Sequence, residues 1–172
     1  MVILYPSGKV SAIQEKQLTT LGHNITALEV DGVFDDCQDM VKRAFLDKDL
    51  TSKLQLTSAN SINVARWLPQ LFYFIFAYKQ LKYKSTNLVF SIPSGNFGNI
   101  CAGMMAQQLG LPIQHFIASN NVNNVVTHYM KTQQFNPKPS IQTISNAMDV
   151  GNPSNFIRIL EIYRVKFEEL AQ

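Results

Sequence analysis

The sequence is short of the features that most quickly announce a function. Its two cysteines, Cys37 and Cys101, lie far apart and outside any CxxC pattern. A disulfide framework therefore has no basis, and buried or unpaired thiols in a reducing compartment are expected. The three histidines, His23, His115 and His128, show no ligand spacing, so no metal site is expected. Charge of one sign is scarce too: 15 basic and 12 acidic residues leave a net +3, with no arginine-rich helix and no lysine run. That balance argues against nucleic acid as a partner. No apolar run suits a membrane. The greasiest stretch, Ala65 to Leu81, is broken by Arg66, Pro69 and Gln70, and its aromatics recur at helical spacing, as in a core helix. The apolar residues before Pro6 are too few for a signal peptide, so a cytoplasmic protein is expected.

What is present is alternation. Strand-length runs, "VILYP", "NITALEV", "KLQLTSA", "NLVFSIP", "PIQHFIAS" and "SIQTISNAM", are separated by helical stripes. Gly22 closes a first helix carrying Val10, Ile13, Leu18 and Leu21, and a second runs from Phe34 to Phe45. The aromatic helix follows, with Pro69 kinking it or marking its proper start. A helix with i,i+4 pairs such as Ile100 and Met104 comes next, and Gly103 would let it approach the sheet closely. Another spans about Val122 to Thr132. The last is announced by Pro153 and lines up Phe156, Ile159, Leu160, Tyr163, Phe167 and Leu170. This order predicts an α/β fold, a parallel open sheet with helices on both faces. The 172 residues, 46% apolar, suit one domain or slightly more, and a polar seam at Asp47–Ser52 could separate two lobes.

Three polar clusters fall where strands meet helices, the edge at which α/β sheets bind ligands. "SGNFGN", Ser94–Asn99, would gather backbone N–H groups at a helix mouth and suit a phosphate. It is neither a Walker loop nor a GxGxxG fingerprint. The alternative is a tight turn in which Asn96 and Asn99 take left-handed dihedrals and cap the helix. In "TSANSINVARW", Asn60, Asn63 and Arg66 are three apart, sharing a face of the first helical turns, and Arg66 could grip an anion; capping by Asn60 or Ser61 is the competing account. In "SNAMDVGNPSN", Asp149 could touch a ligand or, as the turn chemistry favours, close a turn.

Four stretches in series, "LYPSGKVSAIQEKQLTTLGHNITALEVDGVFDDCQ", "LTSANSINVARWLPQ", "PSGNFGNICAG" and "ISNAMDVGNPSNF", resemble threonine synthase as it occurs in bacteria and fungi. The resemblance covers nearly the whole chain. It implies a pyridoxal-phosphate enzyme of fold type II, tryptophan synthase β-like. Such an enzyme converts O-phospho-L-homoserine and water to L-threonine and inorganic phosphate.

It further implies that Ser94, Gly95, Asn96, Phe97, Gly98 and Asn99 line the cup for the cofactor phosphate. Asn60, Ser61, Asn63 and Arg66 would face the substrate. Residues 1–52 would belong to a smaller mobile domain and 53–172 to the larger cofactor-binding one. In the family, the lysine that carries the cofactor precedes the "LYP" strand, and none of this chain's lysines has that setting. A central piece of the enzyme, inactive alone, is therefore expected. Its surfaces, bared by truncation, could drive self-association. Two other readings stay open: a non-catalytic α/β module binding an anion or a partner, and another fold-type-II enzyme such as a serine or threonine dehydratase.

Overall fold

The computed structural model describes residues 1–61, 63–81 and 87–163. The chain divides into two compact units, Met1–Thr57 and Ser58–Gln172.

In the first unit, strand β1 (Val2–Pro6) leads into helix α1 (Ala12–Thr19) and then strand β2 (Thr26–Val30). The strands run parallel, from Val2 opposite Thr26 to Pro6 opposite Val30. Helix α1 starts where Ser11 and Gln14 cap one another, and the chain turns back through Gly22 and His23, both at positive φ. Helix α2 (Phe34–Leu46) begins as Asp36 reaches back to accept the Val33 N–H at 2.7 Å. The polar seam is itself helical: Asp47 accepts the N–H groups of Asp49 and Leu50 and so caps a short helix α3 (Lys48–Lys53).

The second unit holds the large core. A one-turn 3-10 helix (Val64–Arg66) runs into α4 (Trp67–Leu81). Pro69 sits in the first turn of α4, where its missing N–H costs nothing. The helix buries Trp67, Leu71 and Phe74 but exposes Phe72, Tyr73 and Phe76, so only one face of this aromatic helix is core. Strand β3 (Leu88–Pro93), helix α5 (Gly98–Gln108) and strand β4 (Ile113–Ser119) follow. The strands pair in parallel, ending with Pro93 opposite Ser119. Helix α5 is buried through Ile100, Cys101, Ala102 and Ala106. Gly103 explains how it gets so close. A Cβ there would lie 2.6 Å from the Phe74 ring and 2.8 Å from that of Phe116 on β4. Helix α6 (Val125–Thr132) and helix α7 (Phe156–Tyr163) complete the unit. The expected stripe of α7 is buried at Phe156, Ile159 and Leu160; Phe167 and Leu170 lie outside the described residues.

The class is α/β with parallel strands, as the alternation predicts. Two expected strands are not strands. "KLQLTSA" leaves α3 and runs on unpaired, and "SIQTISNAM" ends in a 3-10 turn (Asn146–Met148). Among the described residues neither finds a neighbouring backbone to pair with, and alternation alone cannot make a strand. No described helix is long and apolar enough to cross a membrane.

Candidate anion site at the mouth of helix α5

The loop between β3 and α5 is held from below. Ser94, almost wholly buried, donates its N–H to Ser119 O at 2.8 Å and so closes the β3–β4 ladder. Its hydroxyl turns back to Ile92 O at 3.1 Å, and Asn120 Nδ2 donates to its carbonyl oxygen. Ser94 thus frames the loop and offers it no donor. Asn99 staples the other side, giving Nδ2 to Pro93 O at 2.7 Å and accepting the Ile100 N–H at 2.9 Å.

Between these fixings, the N–H groups of Gly95, Asn96, Phe97, Gly98 and Asn99 make no hydrogen bond among the described residues. Gly98 and Asn99 open α5, where the first turn leaves donors free and the helix dipole is positive. Five unspent donors beside a helix mouth are what an anion requires. The left-handed residue is Phe97, at φ 64° and ψ 7°, and not Asn96 or Asn99. Such a dihedral costs a bulky residue about 1–2 kcal/mol. Burying its ring against Phe156, centroids 5.9 Å apart, returns about 2–3 kcal/mol, so burial wins.

The other two clusters meet the loop. A Cβ on Gly95 would lie 2.7 Å from the Cα of Met148, so the Asn146–Met148 turn crosses directly against it. Asn96 donates Nδ2 to Ser61 Oγ and accepts from Ser154 Oγ, both at 3.1 Å. Ser61 Oγ also donates to Asn60 Oδ1 and accepts from Asn155 Nδ2, again at 3.1 Å each. Of the four residues expected to face a substrate, Ser61 bonds the loop directly and Asn60 is joined to it through Ser61. Asn63 and Arg66 do not share a helical face with Asn60, because among the described residues the helix begins only at Val64. Asn63 instead caps that 3-10 helix by accepting the Ala65 N–H and gives Nδ2 to Ser58 O, both at 3.0 Å. Arg66 is exposed and donates Nη1 to Ala59 O.

Asp149 closes a turn, as the residue types favour. Its carboxylate accepts from Asn121 Nδ2 at 2.8 Å, Asn123 Nδ2 at 3.1 Å and both the N–H and hydroxyl of Thr143 at 2.7 Å. Three of these bonds fall on Oδ1 and one on Oδ2, all from within this part of the chain. The residue that sequence reasoning missed is Asn155. It is 1% exposed, and its Oδ1 has no donor among the described residues. Nothing in "NPSN" marks it out from the ordinary turn asparagines beside it. Behind the loop, burial pushes the Cys101 thiol up to about 12, against the opposing charge of Arg158, so the thiol stays protonated and inert.

No family model matches the chain. It is similar to curated threonine synthases. The chain is 49% identical to the threonine synthase of Escherichia coli (strain K12) over its full length, and covers 40% of that protein. It is 47% identical, with the same coverage, to the one from Buchnera aphidicola subsp. Schizaphis graminum. Among solved structures, threonine synthase from Escherichia coli matches with a TM-score of 0.90 at 47% identity, over 98% of this chain and 40% of that one. The pyridoxal-phosphate-bound threonine synthase from Brucella melitensis matches with a TM-score of 0.78 at 38% identity, over 96% and 36%. The chain thus spans about 40% of the length of the threonine synthases it matches.

Proposed function

We propose that this chain supplies the phosphate grip of a threonine synthase. The observation that carries the reading is the row of five unspent N–H groups from Gly95 to Asn99 at the mouth of α5. They fit the phosphate of pyridoxal phosphate: a dianion gains from several short, charge-assisted hydrogen bonds and from the helix dipole together. The Brucella protein at TM-score 0.78 is one that binds this cofactor. When bound, pyridoxal phosphate supplies an electron sink for carbanion chemistry. The loop's part is to hold the phosphate and so fix the ring's position. Arg66 is exposed, and its guanidinium has five donors, of which Nη1 is seen engaged. It is assigned to the anionic end of the substrate, O-phospho-L-homoserine, which the whole enzyme converts with water to L-threonine and phosphate.

The test is a titration of the 15N-labelled chain. Pyridoxal phosphate should shift the amides of Gly95 to Asn99 saturably, inorganic phosphate should compete, and pyridoxal without phosphate should leave them in place. Equal responses to pyridoxal and its phosphate, or shifts elsewhere only, would end this reading and favour the non-catalytic α/β module that binds a partner.

A further inference from the structure

We infer that Ser61 and Asn155 are positioning residues that pin the glycine loop in its anion-receiving shape, and that Ser61 is not a substrate contact. The inference rests on the phosphate reading above and deepens it. A serine hydroxyl has one proton and two lone pairs. The proton of Ser61 goes to Asn60 Oδ1, and the lone pairs take Asn96 Nδ2 and Asn155 Nδ2. Every position on that oxygen is filled from within the chain, which leaves nothing for a substrate.

What the hydroxyl does instead is join three distant pieces of chain. Asn96 lies 35 residues from Ser61 and Asn155 lies 94 away. Asn96 is also held at its oxygen by Ser154, so the loop cannot turn at Asn96 without breaking bonds at both ends of that side chain. Asn155 ties the same node to α5, because its carbonyl oxygen accepts from Cys101 Sγ at 3.4 Å. Gly98 rests on this pair: a Cβ there would meet Asn155 Nδ2 at 3.2 Å and Ser61 Cβ at 3.3 Å. Asn155 finds no donor for its Oδ1 among the described residues, so the bonds it does make, Nδ2 to Ser61 Oγ and the carbonyl oxygen to Cys101 Sγ, are the ones that fix its place. A loop fixed in advance loses less freedom when its ligand arrives, and binds more tightly for that reason.

The experiment compares the unsubstituted chain with Ser61→Ala, Asn155→Leu and Asn155→Ala. The readouts are thermal unfolding, 15N order parameters of Gly95–Asn99 without ligand, and affinity for inorganic phosphate and pyridoxal phosphate. Asn155→Leu removes an acceptor that has no donor among the described residues together with one hydrogen bond, so its Tm should hold or rise. Its loop order parameters should fall, and both ligands should bind about fivefold more weakly. Ser61→Ala should act in the same direction, and combining it with Asn155→Ala should add little, because the residues work as one unit. Unchanged loop order in all variants, or affinity that falls only in step with Tm, would overturn the inference. If the unsubstituted chain shows no phosphate-dependent amide shifts, the phosphate reading fails. The ligand-free order parameters then still decide whether the pinning exists.

Discussion

The glycine loop and the asparagine turn have similar compositions and opposite fates. Both are short polar stretches at the start of a helix. In the turn from Ser58 to Arg66, the polar groups are largely spent locally: Asn60 N–H on Ser58 Oγ, Asn63 on Ser58 O and Ala65 N–H, Arg66 on Ala59 O. In the loop from Ser94 to Asn99, side chains are also spent on scaffolding, but the backbone donors are left over. The contrast teaches that a site is found by subtraction. A conspicuous asparagine is more often the frame, and the ligand is met by whatever the frame leaves unpaired.

The sharpest way to break the comparison is at the two loop glycines, which should respond unequally. Gly95→Ala drives a Cβ to 2.7 Å from the Met148 Cα, a backbone atom that cannot swing aside. It should cost about 3 kcal/mol and abolish amide shifts with phosphate. Gly98→Ala meets only side chains, at 3.2 and 3.3 Å, and should cost about 1 kcal/mol. Denaturant midpoints give both numbers. A Gly95→Ala protein as stable as its parent would mean that the Met148 turn does not cross the loop as described.

A finer cut pairs Asn99→Ala with Asn63→Ala. Each loses a local cap or staple and should lose about 1 kcal/mol of stability. Only Asn99→Ala should also weaken phosphate, because only its bonds to Pro93 O and the Ile100 N–H border the free donors. If both weaken phosphate equally, the turn belongs to the grip. Arg66→Ala is a gentler probe. The exposed side chain should cost under about 0.5 kcal/mol, and inorganic phosphate should bind the loop within about twofold of the parent. A tenfold loss would move Arg66 from the substrate to the cofactor side.

Much of this was legible in the chain. The step from apolar run to glycine and asparagine to i,i+4 pairs located β3, the loop and α5, because strand, turn and helix impose different local spacing. The close approach at Gly103 could also be anticipated, since a glycine on a packed helix face leaves room for a neighbour such as Phe74. Other features were hidden because they depend on distant partners. "KLQLTSA" alternates like a strand whether or not a neighbouring backbone exists to bond it. Phe97 holds its left-handed dihedral while its ring is buried against Phe156, a partner far off in the sequence. Asn155 acts across 94 residues, a relation no local pattern records.

The smallest expected effect concerns pH, and it asks whether the loop or its surroundings set the charge preference. A phosphate ester passes from monoanion to dianion near pH 6. The dianion should be favoured at a helix mouth, so affinity should rise from pH 5 to about 7.5. Cys101, in the second turn of α5, is the buried group that could oppose this at higher pH by ionising. Burial raises its folded-state pKa above the ordinary thiol range, to about 12, so the folded protein holds the thiol proton more firmly than the unfolded chain does. The associated stability is complete below the ordinary thiol pKa and drains away only as pH rises toward 12. Across pH 7.5 to 9 the thiol therefore adds no negative charge behind the loop, and affinity should stay level. A fall in phosphate affinity within that window, removed by Cys101→Ser, would show that the thiol ionises in the fold and that the loop's donors are not alone in choosing the anion.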